Sequence, residues 1–384
     1  MNQETIVRLS AEFERELFQS VLPFWQQYSI DEANGGYHNC LDRQGRFYDP
    51  TKYMWLHGRQ IWLFSKLYND YAPEREWLRI AGHGLEFMRR HALAGNGRVY
   101  FSLNAQGQPV YLQRKLFSEC FYAMALAEYG RAAGREDLLA EARQQLNYIW
   151  LFSQDPAQLG RPRFAGAPPF QSLAVPMILL NVVEEVYGDD FEPVAEQVQQ
   201  CLAQVRQHFV DGVVYENVLP GGTLHDSADG RLLNPGHAIE AGWFLKHWAR
   251  RLKDEALHET ASQIIRRSFR RGWDAEYGGL FYFLDADGKS PVQLEWDRKL
   301  WWPHCEALYA WLLLATETGA PGDWDAFQQV KAYTFAHFPD PHHGEWYGYL
   351  DRAGAVSQDF KGGPYKGCFH VPRALWNCLC LLGW

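Results

Sequence analysis

Six strongly apolar helical runs recur along the chain at nearly even steps, and that periodicity limits the fold more than any other feature. The runs begin at Arg59 (GRQIWLFSKLY), Ser118 (SECFYAMALAEY), Pro176 (PMILLNVVEEV), Pro235 (PGHAIEAGWFLKHWARRL), Pro303 (PHCEALYAWLLLATE) and Pro372 (PRALWNCLCLL), at steps of 59, 58, 59, 68 and 69 residues. Four open at proline, which suits the first helical position because its missing N–H has no acceptor there. Asn234 is a good N-cap for the fourth run. More polar helices, such as 77–90 and 192–209, lie between them. Helices apolar all round are buried, and two-faced helices lie outside. Six inner and six outer helices in alternation predict an all-α (α/α)6 toroid, one domain over residues 1–384, at 64 residues per unit. An open solenoid would need distinct capping repeats, and none of the six stands out in that way.

A second signal, glycine closely followed by an aromatic residue, keeps step with the first. It occurs at Gly36-Tyr37, Gly97 to Tyr100, Gly212 to Tyr215, Gly279 to Phe281 and Gly344 to Trp346, spaced 61, 115, 67 and 65 residues apart. Most copies precede a second turn, such as Asp42 to Gly45 or Asp285 to Gly288. Each predicts a short β-hairpin, placed in the loops on one face of the toroid. The long gap is close to two periods, with the Pro/Gly-rich stretch 160–169 in the missing place.

Charge and cysteine content narrow the function classes. A net charge of −9 without a basic patch argues against nucleic acid as a partner. No stretch of about 18 apolar residues is present, so no membrane span is expected. The first residues carry no apolar signal core, and the seven cysteines include no C-x-x-C pair. These features lead to the expectation of a reduced, cytoplasmic protein without a zinc knuckle. There is no phosphate loop, no G-x-G-x-x-G and no H-E-x-x-H, and His342-His343 with Glu345 lacks a metal-ligand spacing, so no metal site is expected.

Chemistry concentrates where the later inner helices begin. His237 (Asn-Pro-Gly-His), His304 (Trp-Trp-Pro-His) and His370 (Phe-His-Val-Pro-Arg) each lie within two residues of a helix-opening proline. If the inner helices all start at one end, the three face one cavity. The positive end of the helix dipole disfavours imidazolium, which biases them toward neutral bases. Glu240, three residues after His237, shares its helix face and could orient the ring or contact substrate. Glu306 lies beside His304, and Arg59 and Arg373 occupy matching places where they could anchor oxygen atoms or pair with carboxylates. Aromatic residues make up 15% of the chain, enough for some, Trp302 among them, to offer a sugar platform beside polar anchors. A mouth rich in neutral bases and poor in Asp pairs favours proton transfer at carbon over glycoside hydrolysis, which uses two carboxylates.

At these residues the sequence resembles the N-acylglucosamine 2-epimerase family, which includes renin-binding protein. The matching segments run nearly end to end, among them WLHGRQIW (55–62), LFSECFYAMA (116–125), ENVLPGG (216–222), NPGHAIEAGWF (234–244), LEWDRKLWWPHCEA (294–307) and KGGPYKGCFHVPRAL (361–375). The resemblance implies an (α/α)6 barrel, a homodimer, and interconversion of N-acetyl-D-glucosamine and N-acetyl-D-mannosamine. It implies His237 and His370 as the acid/base pair, with Arg59 and Glu306 contacting the site. No cofactor is required. Some members take ATP as an activator without consuming it, which is linked to a Lys-containing loop. The comparable stretch here, 156–169, has Arg161 and Arg163 but no Lys, and this departs from that pattern.

The expected chemistry begins from the open-chain sugar, whose C1 aldehyde acidifies the C2 proton. One imidazole removes that proton and another returns one to the opposite face. Arg59 or His304 would stabilise charge on the C1 oxygen. The alternative is a 2-epimerase or aldose–ketose isomerase of unmodified sugars such as mannose and glucose. The cellobiose branch has a histidine near Pro176-Met177 that is absent here, which favours the N-acyl substrate.

Overall fold

The computed structural model describes residues 3–162 and 164–384. The chain opens with α1 (Gln3–Arg15), which passes through a π-helical turn (Glu16–Val21) into α2 (Leu22–Tyr28). Five helical hairpins follow. They are α3 (Met54–Asp70) with α4 (Arg75–His91), and α5 (Phe117–Ala133) with α6 (Glu136–Gln154). Next come α7 (Ala174–Tyr187) with α8 (Ala195–Gln207), and α9 (Pro235–Leu252) with α10 (Glu255–Gly272). The last hairpin is α11 (Trp301–Thr318) with α12 (Pro321–His337), and α13 (His370–Leu381) ends the series.

The odd-numbered helices from α3 to α13 pack side by side, and each of the first five packs on the even-numbered helix that follows it. The outer partner of α13 is α1 with its π-helical turn. This is an (α/α)6 barrel, and apolar patterning separates its layers. Every residue of α11 from Trp301 to Ala315 is buried, whereas α10 buries Leu257, Ala261, Ile264, Ile265 and Ser268 at helical spacing. Gly58 lets α3 approach α5, since a Cβ there would lie 2.5 Å from the Phe121 carbonyl oxygen. The ring closes where Trp62 of α3 meets Phe369 edge-on at 5.3 Å and Tyr71 meets Trp376 of α13 at 5.7 Å. The π-helical turn adds to the closure: the Glu345 amide donates to the Ser20 carbonyl and Trp346 Nε1 donates to Glu16.

The prolines differ from the expectation in one respect. Pro235 is the first residue of α9, but Pro176, Pro303 and Pro372 are the third residues of α7, α11 and α13. All four lie in the first turn, where amides have no acceptor within the helix. His237 is thus the third residue of α9, and the shift in α13 makes His370 its first.

Short strands gather at the end where the inner helices start. Hairpins form at Cys40–Leu41 with Phe47–Asp49, Ser102–Leu103 with Pro109–Tyr111, and Tyr349–Leu350 with Val356–Gln358. Four pairings also stitch one repeat to the next, which hairpins alone would not do. They join Lys52–Tyr53 to Ser102–Leu103, Gln171–Ser172 to Asn217–Val218, Leu232–Leu233 to Leu284–Asp285, and Lys299–Leu300 to Tyr349–Leu350. Among the described residues of 160–169 there is no strand.

A buried unit repeats three times in these loops. Asp31 pairs with Lys52 at 2.7 Å, Asp274 with Lys299 at 3.0 Å, and Asp340 with Lys361 at 3.1 Å. Five residues after each lysine stands His57, His304 or Lys366. His57 Nε2 accepts the Tyr37 amide and His304 Nε2 accepts the Leu280 amide, both at 2.9 Å. In the third copy Lys366 pairs instead with Glu345, which occupies the place of Gly36 and Gly279.

Candidate active site

Side chains three apart on a helix share a face, whereas side chains two apart differ by about 200°. Arg59, Glu240 and Glu306 are the sixth residues of α3, α9 and α11. His237 lies three residues before Glu240, and His370 three residues before Arg373. Those faces converge at the start of the inner helices. Arg373 donates to Glu240 and to Glu306, each at 2.6 Å, which ties α13 to α9 and α11.

The two histidines hang from separate carboxylates. His370 Nδ1 is 2.7 Å from Glu306, whose second oxygen accepts the Trp243 indole N–H at 2.9 Å. His237 Nδ1 is 3.0 Å from Glu216, and the His237 amide donates to the Asn234 side chain at 3.1 Å. Glu216 arrives from the neighbouring repeat. Its carbonyl accepts the Leu173 amide and its amide donates to Leu232, so the strands leading into α7 and α9 clamp it. With Nδ1 committed in both rings, each Nε2 is the free nitrogen. The Trp302 indole packs near both imidazoles, its ring centre 5.2 Å from His237 and 5.8 Å from His370. Gly236 permits this, because a Cβ there would lie 2.6 Å from that indole. The His237 side chain keeps 28% exposure and that of His370 11%, so neither ring is sealed from solvent.

The environments drive the two rings apart. Burial, followed by the Arg59 and Arg373 charges, pushes His370 well below its ordinary pKa. Burial also pulls His237 down, but the Glu216 carboxylate, joined by Glu240, overrides it and leaves His237 raised. The helix dipole alone favours neutrality for both rings, and the Glu216 carboxylate at 3.0 Å reverses this for His237. Arg59 is stacked among Phe121, Trp55 and Phe369, with its Cζ 4.1, 4.5 and 5.0 Å from their ring centres. Burial and Arg373 push it down to about 9. Its buried Nε has no partner among the described residues, which leaves this cation free to meet a ligand oxygen.

His304 is a correction. It is fully buried, its Nε2 accepts from Leu280, its Nδ1 meets the Leu300 carbonyl at 2.6 Å, and burial holds it down at about 3. It therefore does not line the hollow. Glu306 stands two positions further along, so His304 points to the opposite side of α11. Glu306 orients His370 rather than adjoining His304 in the site. Glu240 pairs with Arg373 instead of orienting His237, and Trp302 packs near both His237 and His370. The mouth is also richer in carboxylates than expected, since Glu216, Glu240 and Glu306 are all buried there. Each is engaged by a histidine or an arginine, so no free pair of carboxylates remains. Glu216 and Trp243 are additions. Trp243 follows Glu240 by three residues and shares its face, a signal present in the sequence, whereas Glu216 reaches the site only through strand pairing.

Ligand atoms of Glu240, Glu306 and His370 lie within 4.8 Å of one another. The Arg373 guanidinium already bridges the two carboxylates and lies 3.4 Å from His370 Nδ1, so it fills the place a cation would take. In the stretch considered for nucleotide activation, Arg161 is turned onto the Arg114 carbonyl, and Arg163 lies outside the described residues.

Residues 35–374 match the family model described as N-acylglucosamine 2-epimerase. The chain is 45% identical to the N-acylglucosamine 2-epimerase of Bos taurus, covering 98% of this chain and 92% of that one. It is 43% identical to that of Homo sapiens, covering 100% and 95%. Its fold superposes on the cellobiose 2-epimerase of Spirochaeta thermophila with a TM-score of 0.84 at 22% identity, over 99% and 98% of the two chains.

Proposed function

The chain belongs to the N-acylglucosamine 2-epimerase family, and on that premise we propose that it interconverts N-acetyl-D-glucosamine and N-acetyl-D-mannosamine by proton transfer at C2 between His370 and His237. The observation that carries this reading is a pair of imidazoles packed near one indole, each with Nδ1 held by a carboxylate, one ring of depressed pKa and the other of raised pKa. High identity to proteins named for the N-acyl sugar, against 22% to one named for cellobiose, favours the amino-sugar substrate over unmodified sugars.

In the reaction the open-chain sugar lies against Trp302. Neutral His370 takes the C2 proton on Nε2, and the C2–H electron pair moves toward C1 to give an enolate oxygen. Arg59, which carries no carboxylate partner, meets that oxygen. Protonated His237 then delivers its Nε2 proton to the opposite face of C2, and the C1 carbonyl re-forms. Glu216 stabilises the imidazolium before transfer, and Glu306 steadies the imidazolium that forms on His370. The rings exchange roles in the reverse direction. The acetamido nitrogen carries no hydroxyl proton to surrender, so a ketose is not readily reached. The step as written uses no cofactor.

We place the protein in the cytoplasm, supported by seven cysteines that are all unpaired, and as a homodimer on the family resemblance. No helix among the described residues is long and apolar enough to cross a membrane. The test is turnover of N-acetyl-D-mannosamine in D₂O followed by proton NMR. Deuterium at C2 of the product is expected, and product that retains the original C2 proton would contradict exchange through two imidazoles.

A further inference from the structure

The inner helices leave a second hollow at the end of the toroid opposite the histidines. It encloses about 580 Å³, within the usual range for a small-molecule pocket. Trp243 and Arg373 contribute to both regions, so a thin floor separates the hollow from the active site. Its remaining lining comes from later turns of the inner helices and from Asp189 just beyond α7.

Two observations point to a ligand. Asn181 is only 4% exposed, it faces the cavity, and its Oδ1 has no partner among the described residues. The buried Oε2 of Glu184 also lacks a partner among the described residues, while its other oxygen holds His247 and Arg251, each at 2.9 Å. An unmet buried polar atom is costly, and such atoms are met by solvent or by a ligand.

The chemistry of the lining sets the class. Its cations are paired within the protein: Arg250 with Glu317 at 2.6 Å, Lys66 with Asp70 at 2.9 Å, and Arg251 with Glu184 and Asp189. An anion would have to displace one of these carboxylates, and a cation would face Lys66, Arg250, Arg251 and Arg373 in the same lining. What remains is a carboxylate oxygen that accepts, the amides of Asn181 and Asn377 that donate and accept, and the indoles of Trp62 and Trp243. Hydroxyl groups both donate and accept, and an indole covers the C–H face of a polyol. We propose that this far cavity is a second ligand site, which takes a neutral polyhydroxylated molecule of about hexose size through Asn181, Glu184 and Asn377.

A native reporter stands at the cavity. Cys380 lines it and is the one exposed cysteine of the seven. The experiment measures the rate of Cys380 carboxamidomethylation by iodoacetamide, mapped by peptide mass, as D-glucitol is titrated. This sugar alcohol has no carbonyl and cannot be epimerised. Saturable slowing is expected, about tenfold at a glucitol concentration ten times its Kd if the bound state is unreactive. The same slowing is expected in His370→Ala. Asn181→Leu, which removes an amide that has no partner to lose, should abolish the slowing, and Asn377→Leu is the second variant. Loss of protection in either variant supports the site. An absence of saturable slowing, or full slowing in both variants, overturns it. The readout does not involve turnover, so its failure would leave the epimerase assignment untouched, and a failed epimerase assay would leave this test intact.

Discussion

His237 and His370, compared with His57 and His304, are four imidazoles in the first turn of an inner helix that meet different fates. In the second pair both nitrogens are used by the backbone. Nε2 accepts an amide from the preceding hairpin, and Nδ1 meets the carbonyl four residues back. These rings are buried and held neutral, and they tie each helix entrance to its loop. In the first pair a carboxylate takes Nδ1 and Nε2 faces a hollow. Position relative to the barrel axis decides which fate applies. His304 lies two residues before Glu306, and His57 two before Arg59, so both turn away from the face that carries the charge. Lys366 sharpens the point, because in the third copy of the loop unit an ammonium group takes the histidine's place and no imidazole is needed.

The comparison is broken most directly by exchanging the expected phenotypes. His370→Ala and His237→Ala should each lower turnover by about 10²–10⁴-fold while thermal stability stays near wild type. Wild-type rates in either variant would remove that residue from the reaction. His304→Ala should do the reverse. It orphans the Leu280 amide and leaves a void, a loss of about 2–4 kcal/mol in chemical denaturation. His57→Ala is expected to behave alike, and full stability in both would contradict the structural role.

Acid should expose the same distinction. His304 is held at about 3 in the folded protein, while an unfolded chain takes up the proton near its ordinary 6.5. Its contribution to stability is therefore fully present above about 6.5 and declines as pH falls toward 3, by up to about 1.4 kcal/mol per pH unit. His304→Gln should flatten that slope in denaturation curves taken across the window, and an unchanged slope would sink the assignment. The smallest effect concerns Glu216. His370 must be neutral and His237 protonated, so activity should hold between the depressed and the raised pKa and fall outside them. Glu216→Gln lowers the pKa of His237 and should move the alkaline limb of the pH–rate profile to lower pH. An unmoved limb would assign that limb to another group.

The fold was legible because its cause is periodic. Six apolar runs with prolines in the first turns of four specify an inner ring whatever the loops do, and α11 shows the extreme, with an unbroken buried run from Trp301 to Ala315. The site was legible in part. Spacing of three places Glu240 with His237 and Arg373 with His370. The same rule, applied to the spacing of two between His304 and Glu306, turns His304 to the far side of α11, so helix geometry alone separates it from the hollow. Glu216 obeys no such rule, since it is carried to His237 by a strand whose partner lies 45 residues earlier, Asn217 against Ser172.

By itself the sequence determined the closed helical ring, the end at which the chemistry gathers and the residue types available there, because these follow from local periodicity and helix faces. Only the tertiary structure decided which carboxylate serves which imidazole. The Glu216 carboxylate raises His237, whereas burial and the Arg59 and Arg373 charges lower His370, and both effects depend on distances across separate helices and loops that no single helix sets along its own chain.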